Sequence, residues 1–243
     1  MTVTESMCAM ISHYIEKIGH KIVNIARKYH PRTLRQFGWF VTDLSWDQIV
    51  EKYGSYEKDL ILNKTRDAVL QVKLGHKPYE RDSLLFDSVD YSWPVLAGLL
   101  FFSSINKGKI SVLDFGGSLG SSYFQNRKFL NKCSNFQWSI VELPDVVECG
   151  KECIQDNSIR FYYTIEECIK KSAHDVLLMS SVLPYLKDPW GFLEQVAALG
   201  HFKGIIIDCT GIVRVGRDVL TIQKVPPSIY EATYPCWFFN EEH

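Results

Sequence analysis

The 243 residues are 46% hydrophobic and 23% charged, with a formal net charge of −1. At roughly 150 residues per domain the length allows one or two domains, and the composition excludes a disordered tail, a collagen or a small disulfide scaffold. The near-neutral balance removes the simplest route to nucleic-acid binding, which uses a basic domain.

The longest apolar stretch, Val95 to Phe102, falls short of the roughly 20 residues needed to span a bilayer. No basic segment followed by an apolar run opens the chain, so no secretory signal is read. The seven cysteines form no Cys-x-x-Cys pair. They read as free thiols of a reducing cytoplasm rather than disulfides or zinc ligands.

Near the N-terminus, Met7, Ile11, Tyr14, Ile18, Ile22, Ile25 and Tyr29 recur at spacings of three and four, the period of one helix side. Lys17, Lys21, Arg27 and Lys28 fall opposite. Such a helix packs on its own domain, on a second copy in a homodimer, or on an anionic membrane surface. A second helix is expected from Tyr56 to Leu74, stopped by Gly75 and Pro78. The polar segment Pro78 to Ser83 follows. A third helix, about Pro94 to Ser104 with Ser92 near its start, is apolar nearly all round and is expected to be buried.

After Lys109 the pattern alternates strand and helix. Strands are expected at Ile110–Phe115, Gln137–Glu142, Ile159–Thr164, Val176–Ser180 and Gly204–Asp208, with another possible at Val219–Lys224. Between them fall helices at Leu119–Asn131, Pro144–Asp156, a short one near Glu166, and Pro189–Leu199. The last has Asp188 as cap and Gly200 as stop. This alternation predicts an α/β fold: a doubly wound, mostly parallel sheet covered on both faces. Residues 1–108 are read as an N-terminal helical region or cap, and 109–243 as a Rossmann-like binding domain.

The strongest chemical signal is Asp114-Phe115-Gly116-Gly117-Ser118-Leu119-Gly120, where a strand enters a small-residue turn and a helix leaves it. Small residues let a ligand approach the backbone, and the helix start offers free N–H groups. A dinucleotide site wants Gly-x-Gly-x-x-Gly, but serines stand at two of those places. A phosphate loop wants a lysine that is missing. An S-adenosylmethionine (SAM) site reads acid-x-Gly-x-Gly-x-Gly, which Asp114, Gly116 and Gly120 fit with Ser118 at the middle glycine. Glu142, at the end of the next strand, is then the acid for the ribose hydroxyls. Gly116-x-Ser118-x-Gly120 is also the nucleophile-elbow pattern of α/β serine hydrolases, with Ser118 attacking. The downstream histidines His174 and His201 each precede a strand, which puts them at the opposite edge of the sheet. A glycine turn that binds nothing is the third reading.

Further segments carry a resemblance. They are Tyr79-Glu80-Arg81-Asp82, Tyr91-Ser92-Trp93-Pro94, Leu113 to Gly120, Tyr123-Phe124-Gln125-Asn126-Arg127, Val141-Glu142, Ser180 to Leu186, Ile207-Asp208, Leu220-Thr221-Ile222-Gln223 and Tyr234 to Phe239. From about residue 45 onward the chain resembles class I SAM-dependent methyltransferases encoded in bacterial lipopolysaccharide and capsule biosynthesis clusters. The resemblance implies a cytoplasmic transferase acting on a sugar, a sugar nucleotide or a related polar precursor. It also implies a seven-stranded sheet closed by an antiparallel pair. Because the chain stops at His243, either it is truncated or its last strands are rearranged. A protein that binds SAM without transferring the methyl is a further alternative.

Ligands of open α/β sheets bind at the carboxyl ends of the strands. Asp114, Gly116, Gly117, Ser118 and Gly120 are therefore expected to line the methionine end of SAM, and Glu142 its ribose. Thr164 and Ile165 are expected near the adenine, with Ser180 and Ser181 at the switch point beside the transfer site. Arg81 and Asp82 are candidates to fold over the cofactor. Asp208 and Tyr185 are the candidates for catalysis, Asp208 as proton acceptor. Arg127, Arg214 and Arg217 are candidate contacts for an anionic substrate. The aromatic group Tyr230, Tyr234, Trp237, Phe238 and Phe239 is either a sugar platform or core. No metal is expected.

Overall fold

The computed structural model describes residues 36–54, 59–229 and 231–242. The amphipathic segment expected at 7–29 lies outside them. Five strands form a parallel sheet: β4 (Lys109–Phe115), β5 (Asn135–Val141), β6 (Ile159–Tyr162), β7 (Val176–Ser180) and β8 (Gly204–Asp208), in the order β6-β5-β4-β7-β8. The chain starts in the middle, steps outward twice, then returns to the other side of β4. This leaves a switch point between β4 and β7. Both central strands are hydrophobic runs without alternation, with Val112, Leu113 and Val176 to Met179 all at 0% exposure. That is the signature of strands covered on both faces.

One face carries α2 (Asp59–Lys73), α3 (Trp93–Ile105), α4 (Ser121–Leu130) and α5 (Pro144–Cys153). There Val69, Val95, Leu99, Leu119, Tyr123, Leu130, Val147 and Ile154 join one apolar cluster with Val112, Trp138 and Ile140 of the strands. The other face carries α6 (Ile165–Lys171), α7 (Pro189–Leu199) and a 3₁₀ turn at Leu183–Tyr185. The expected start and stop of α7 are present. The Asp188 side chain accepts from the Gly191 N–H at 3.0 Å, and Gly200 takes the left-handed conformation with φ 60°.

The sequence predicts a fully buried third helix. In the structure α3 sits at the β8 side of the sheet and buries only one stripe. Trp93 and Phe101 on its outer side are 61% and 58% exposed.

The larger difference is at the C-terminus. The antiparallel pair of β10 (Val219–Val225) and β11 (Ala232–Asn240) is present, but it does not extend the parallel sheet. It belongs to a second sheet, ordered β1-β10-β11-β9, with β1 (Gly38–Val41) antiparallel to β10 and β9 (Ile212–Val213) parallel to β11. The last strands are thus rearranged, and β8 is left as the edge of the parallel sheet. Residues on both sides of position 108 build this second sheet. Helix α1 (Trp46–Tyr53), closed by a Ser45/Gln48 capping box, also packs on it, stacking Trp46 on Trp237 with centroids 6.3 Å apart. Phe239 of β11 enters the core under α7, so the second sheet is welded to the first through side chains rather than backbone pairing.

The polar segment after residue 78 is a hairpin. Strands β2 (Tyr79–Arg81) and β3 (Leu84–Phe86) pair antiparallel across a two-residue turn, Asp82 and Ser83, with φ 51° and 67°. Two consecutive positive φ values are the hairpin turn that matches strand twist.

Candidate active site

The loop after β4 lies at the switch point, and packing explains its small residues. A Cβ on Gly117 would stand 2.5 Å from the Asp114 carboxyl, so the missing side chain makes room for that acid beneath the loop. Gly116 has φ +70°, and a Cβ there would meet Val182 at 2.4 Å. Ser118 also has positive φ, at 50°. The backbone is therefore forced through a tight path that leads into α4.

Sequence reasoning puts Asp114 on the crevice, among the ligand contacts. The structure puts it underneath, at 0% exposure, with Oδ2 accepting from Trp138 Nε1 at 3.1 Å. Burial raises its pKa to about 8. Asp114 shapes the loop from below. Its Oδ1 has no hydrogen-bond partner.

Glu142 comes off the end of β5 beside this loop. Its Oε1 accepts from the Ser118 N–H at 3.0 Å and its Oε2 from the Leu143 N–H at 2.8 Å. A carboxylate oxygen carries two acceptor positions, so one remains on each for a ligand hydroxyl. Burial raises the Glu142 pKa, and the two backbone donors offset only part of that rise.

Beyond Glu142 an open cleft of about 230 Å³ is lined by Phe115, Val141, Tyr163, Thr164, Ile165 and Phe192, among others. Phe115 and Phe192 stack in it with centroids 4.5 Å apart. Thr164 and Ile165 line this cleft, and the Thr164 hydroxyl is occupied as the N-cap of α6, accepting from the Glu167 N–H at 3.1 Å.

On the other side of the loop, at the ends of β7 and β8, donors converge on Asp208. Ser92 Oγ reaches Oδ1 at 3.3 Å, while Ser180 Oγ and Cys209 Sγ each reach Oδ2 at 3.3 Å. Ser92, near the start of α3, makes no side-chain cap bond and is spent on this acid. Ser181 and Cys209 both hold positive φ, 60° and 51°. Arg81 crosses from the hairpin and donates to Cys209 Sγ at 2.8 Å.

A second cleft, about 430 Å³, opens beside Cys209, between Pro184, Tyr185 and the second sheet with Trp39, Trp237 and Phe238. The Tyr185 hydroxyl donates to Gln223 Oε1 at 2.9 Å. Tyr185 lines this cleft together with Cys209, the residue after Asp208.

Three arginines are used elsewhere or left aside. Arg127 lies over the Phe124 ring and donates to the Val72 carbonyl at 3.2 Å, and Arg214 pairs with Glu241. Arg217 makes no contact that bears on the site. Of the aromatic group, Tyr230 is outside the described residues. Tyr234 and Phe239 are core, and Trp237 and Phe238 face the second cleft.

Neither downstream histidine among the described residues serves Ser118. The buried His174 Nε2 bonds Ser139 Oγ at 2.9 Å, and His201 Nδ1 bonds the Leu199 carbonyl at 2.7 Å. Among the described residues no cluster of potential metal ligands occurs, and no helix is long and apolar enough to cross a membrane.

Sequence reasoning missed Glu80, Cys209 and Trp39. Glu80 stands in a polar segment that reads as solvated. Trp39 belongs to a four-residue strand whose partner lies more than 180 residues away. Neither has a local signal that could reveal it.

No known family profile and no curated protein matches the chain. Two solved structures of the N-terminal domain of EvdMO1 align over 73% of this chain and 82% of theirs. The one determined in the presence of SAH and D-fucose is 13% identical, the one with SAH bound 12%, each with a TM-score of 0.41.

Proposed function

We propose that the chain is a SAM-dependent methyltransferase that methylates a hydroxyl of a sugar or related polar precursor of a bacterial surface polysaccharide. One observation carries the reading: the Glu142 carboxylate, at the tip of the second strand, lies against the small-residue loop at the end of the first and keeps one free acceptor position on each oxygen. The residues fit the cofactor. Glu142 suits a ribose diol, Gly116 and Gly117 leave the backbone bare for the methionine arm, and the Phe115/Phe192 cleft with Thr164 and Ile165 suits a purine.

When bound, SAM supplies an electrophilic methyl group on a sulfonium. The chain's own task is to hold an acceptor oxygen in line with that methyl and remove its proton. Asp208 is the proton acceptor in this reading. Ser92, Ser180 and Cys209 fix its orientation from three sides, so little reorganisation is needed when it takes a proton. Trp39, Trp237 and Phe238 offer flat apolar faces for a sugar ring beside Asp208, and Tyr185 closes the far wall. The serine-hydrolase alternative loses its support, because the two downstream histidines among the described residues, His174 and His201, are engaged away from Ser118.

Calorimetry with S-adenosylhomocysteine (SAH) tests the proposal. The folded wild-type chain binds it, and Glu142→Ala weakens binding by about 100-fold, as expected for two charge-assisted hydrogen bonds. No heat and no thermal shift with the wild-type chain would defeat the assignment.

A further inference from the structure

The Tyr79–Arg81 strand spans the site from side to side. Tyr79 and Glu80 hold it to α4: Gln125 Nε2 donates to the Tyr79 hydroxyl at 3.2 Å, and Ser121 Oγ donates to Glu80 Oε1. Arg81 holds the other side at the end of β8 through Cys209. Thr65 of α2 bonds Ser83 at 2.8 Å and pins the turn. The hairpin thus crosses over the carboxyl ends of β4 and β7, between the loop helix and Asp208.

Two features of this strand are unspent. Glu80 is 1% exposed, yet its Oε2 has no hydrogen-bond partner. Burying half a carboxyl without a partner costs free energy, so such a group is retained for something other than packing. It is not consumed as a cap of α4 either. Burial outweighs the Ser121 hydroxyl and the Ser83 backbone, and holds its pKa up at about 7. A carboxylate satisfied by a helix start would move the other way. The second feature is Arg81, which enters none of the ion pairs found among the described residues and faces a thiol instead of an acid. An acid and a base, adjacent in sequence and both lacking a charged partner across the site, sit above the bare glycine backbone.

We propose that Glu80 receives the α-ammonium group of the cofactor's methionine arm, with Arg81 beside it facing the α-carboxylate. This inference rests on the function proposed above. An ammonium group brings three donors and a full positive charge to the unpartnered Oε2, which completes its hydrogen bonding and favours the ionised form. The charged and titratable groups around Glu80 are Tyr79, Arg81 and Asp82 on its own hairpin, while α4 offers it the neutral Ser121. Binding of an ammonium-bearing ligand below pH 7 is therefore accompanied by proton release from Glu80.

The test is calorimetry on the full chain with two ligands, SAH and its desamino analogue, which lacks only the α-amino group. The wild-type chain prefers SAH by about 30-fold, the contribution of one charge-assisted contact. At pH 6 it releases protons with SAH and none with the desamino analogue, read from heats in buffers of different ionisation enthalpy. In Glu80→Gln the preference shrinks to less than about 3-fold while affinity for the desamino analogue is kept. Equal wild-type affinity for the two ligands overturns the inference without any variant having to fold. So does undiminished discrimination in Glu80→Gln. Both results differ from an absence of SAH binding, which would defeat the methyltransferase reading itself.

Discussion

The parallel sheet and the mixed sheet of this chain are assembled by different rules. The five parallel strands come from one continuous stretch, 109–208, in which each strand is joined to the next through a helix that packs on the strands it connects. The mixed sheet gathers four pieces of chain, at 38–41, 212–213, 219–225 and 232–240. Its β10–β11 pair is local, but the pairing of β1 with β10, Gly38 with Lys224 for example, closes a very long loop. The first sheet supplies the loop, Glu142 and Asp208, and the second supplies an aromatic wall. The contrast teaches that the loop, Glu142 and Asp208 follow from local strand-to-loop grammar, whereas the aromatic wall is complete only when long-range pairing brings in Trp39.

The sharpest way to break this comparison is at the junction between the two sheets. Asp208→Asn keeps the three donors' partner in shape but removes its basicity. Under the proposed function, methyl transfer to the acceptor hydroxyl is expected to fall by about 10²–10⁴-fold. SAH affinity, set on the other side of the loop, stays within about 3-fold of wild type. A loss of SAH binding instead would show that the two halves of the site are not separable.

A second experiment sharpens the account of the parallel sheet. Asp114 and Glu80 have folded-state pKa values raised to about 8 and about 7, above the carboxylate values of an unfolded chain. The folded protein therefore holds more protons than the unfolded chain between about pH 4 and 8, and stability falls as pH rises through that window. The slope is on the order of 1 kcal/mol per pH unit for each group. Asp114→Asn removes one titrating group while keeping an acceptor for Trp138 Nε1, so its melting temperature declines less between pH 6 and 8 than that of wild type. Parallel curves would refute the buried, protonated state of Asp114.

The smallest expected effect probes the mixed sheet alone. Tyr185→Phe removes the hydrogen bond to Gln223 while keeping the ring against Tyr234, whose centroid is 5.5 Å away. It lowers stability by about 1 kcal/mol in denaturant unfolding. SAH binding is unchanged if the second cleft is only a wall.

The sequence by itself determined the strands of the parallel sheet and the helices between them, because buried hydrophobic runs and caps such as Asp188 and Gly200 are written in neighbouring residues. It also determined that Glu142 stands a helix and a strand beyond the glycine loop, which is enough to bring the two together once the strands are parallel neighbours. Only the tertiary structure decided that Asp114 lies under the loop rather than on it, since that depends on the indole of Trp138 reaching it from the adjacent strand. The same holds for the buried, half-partnered state of Glu80, and for an aromatic wall built from Trp39 and Trp237. Those features arise where segments far apart in the chain close on one another. Periodicity and turn chemistry report only on the few residues either side of a position, so nothing local marks such closures.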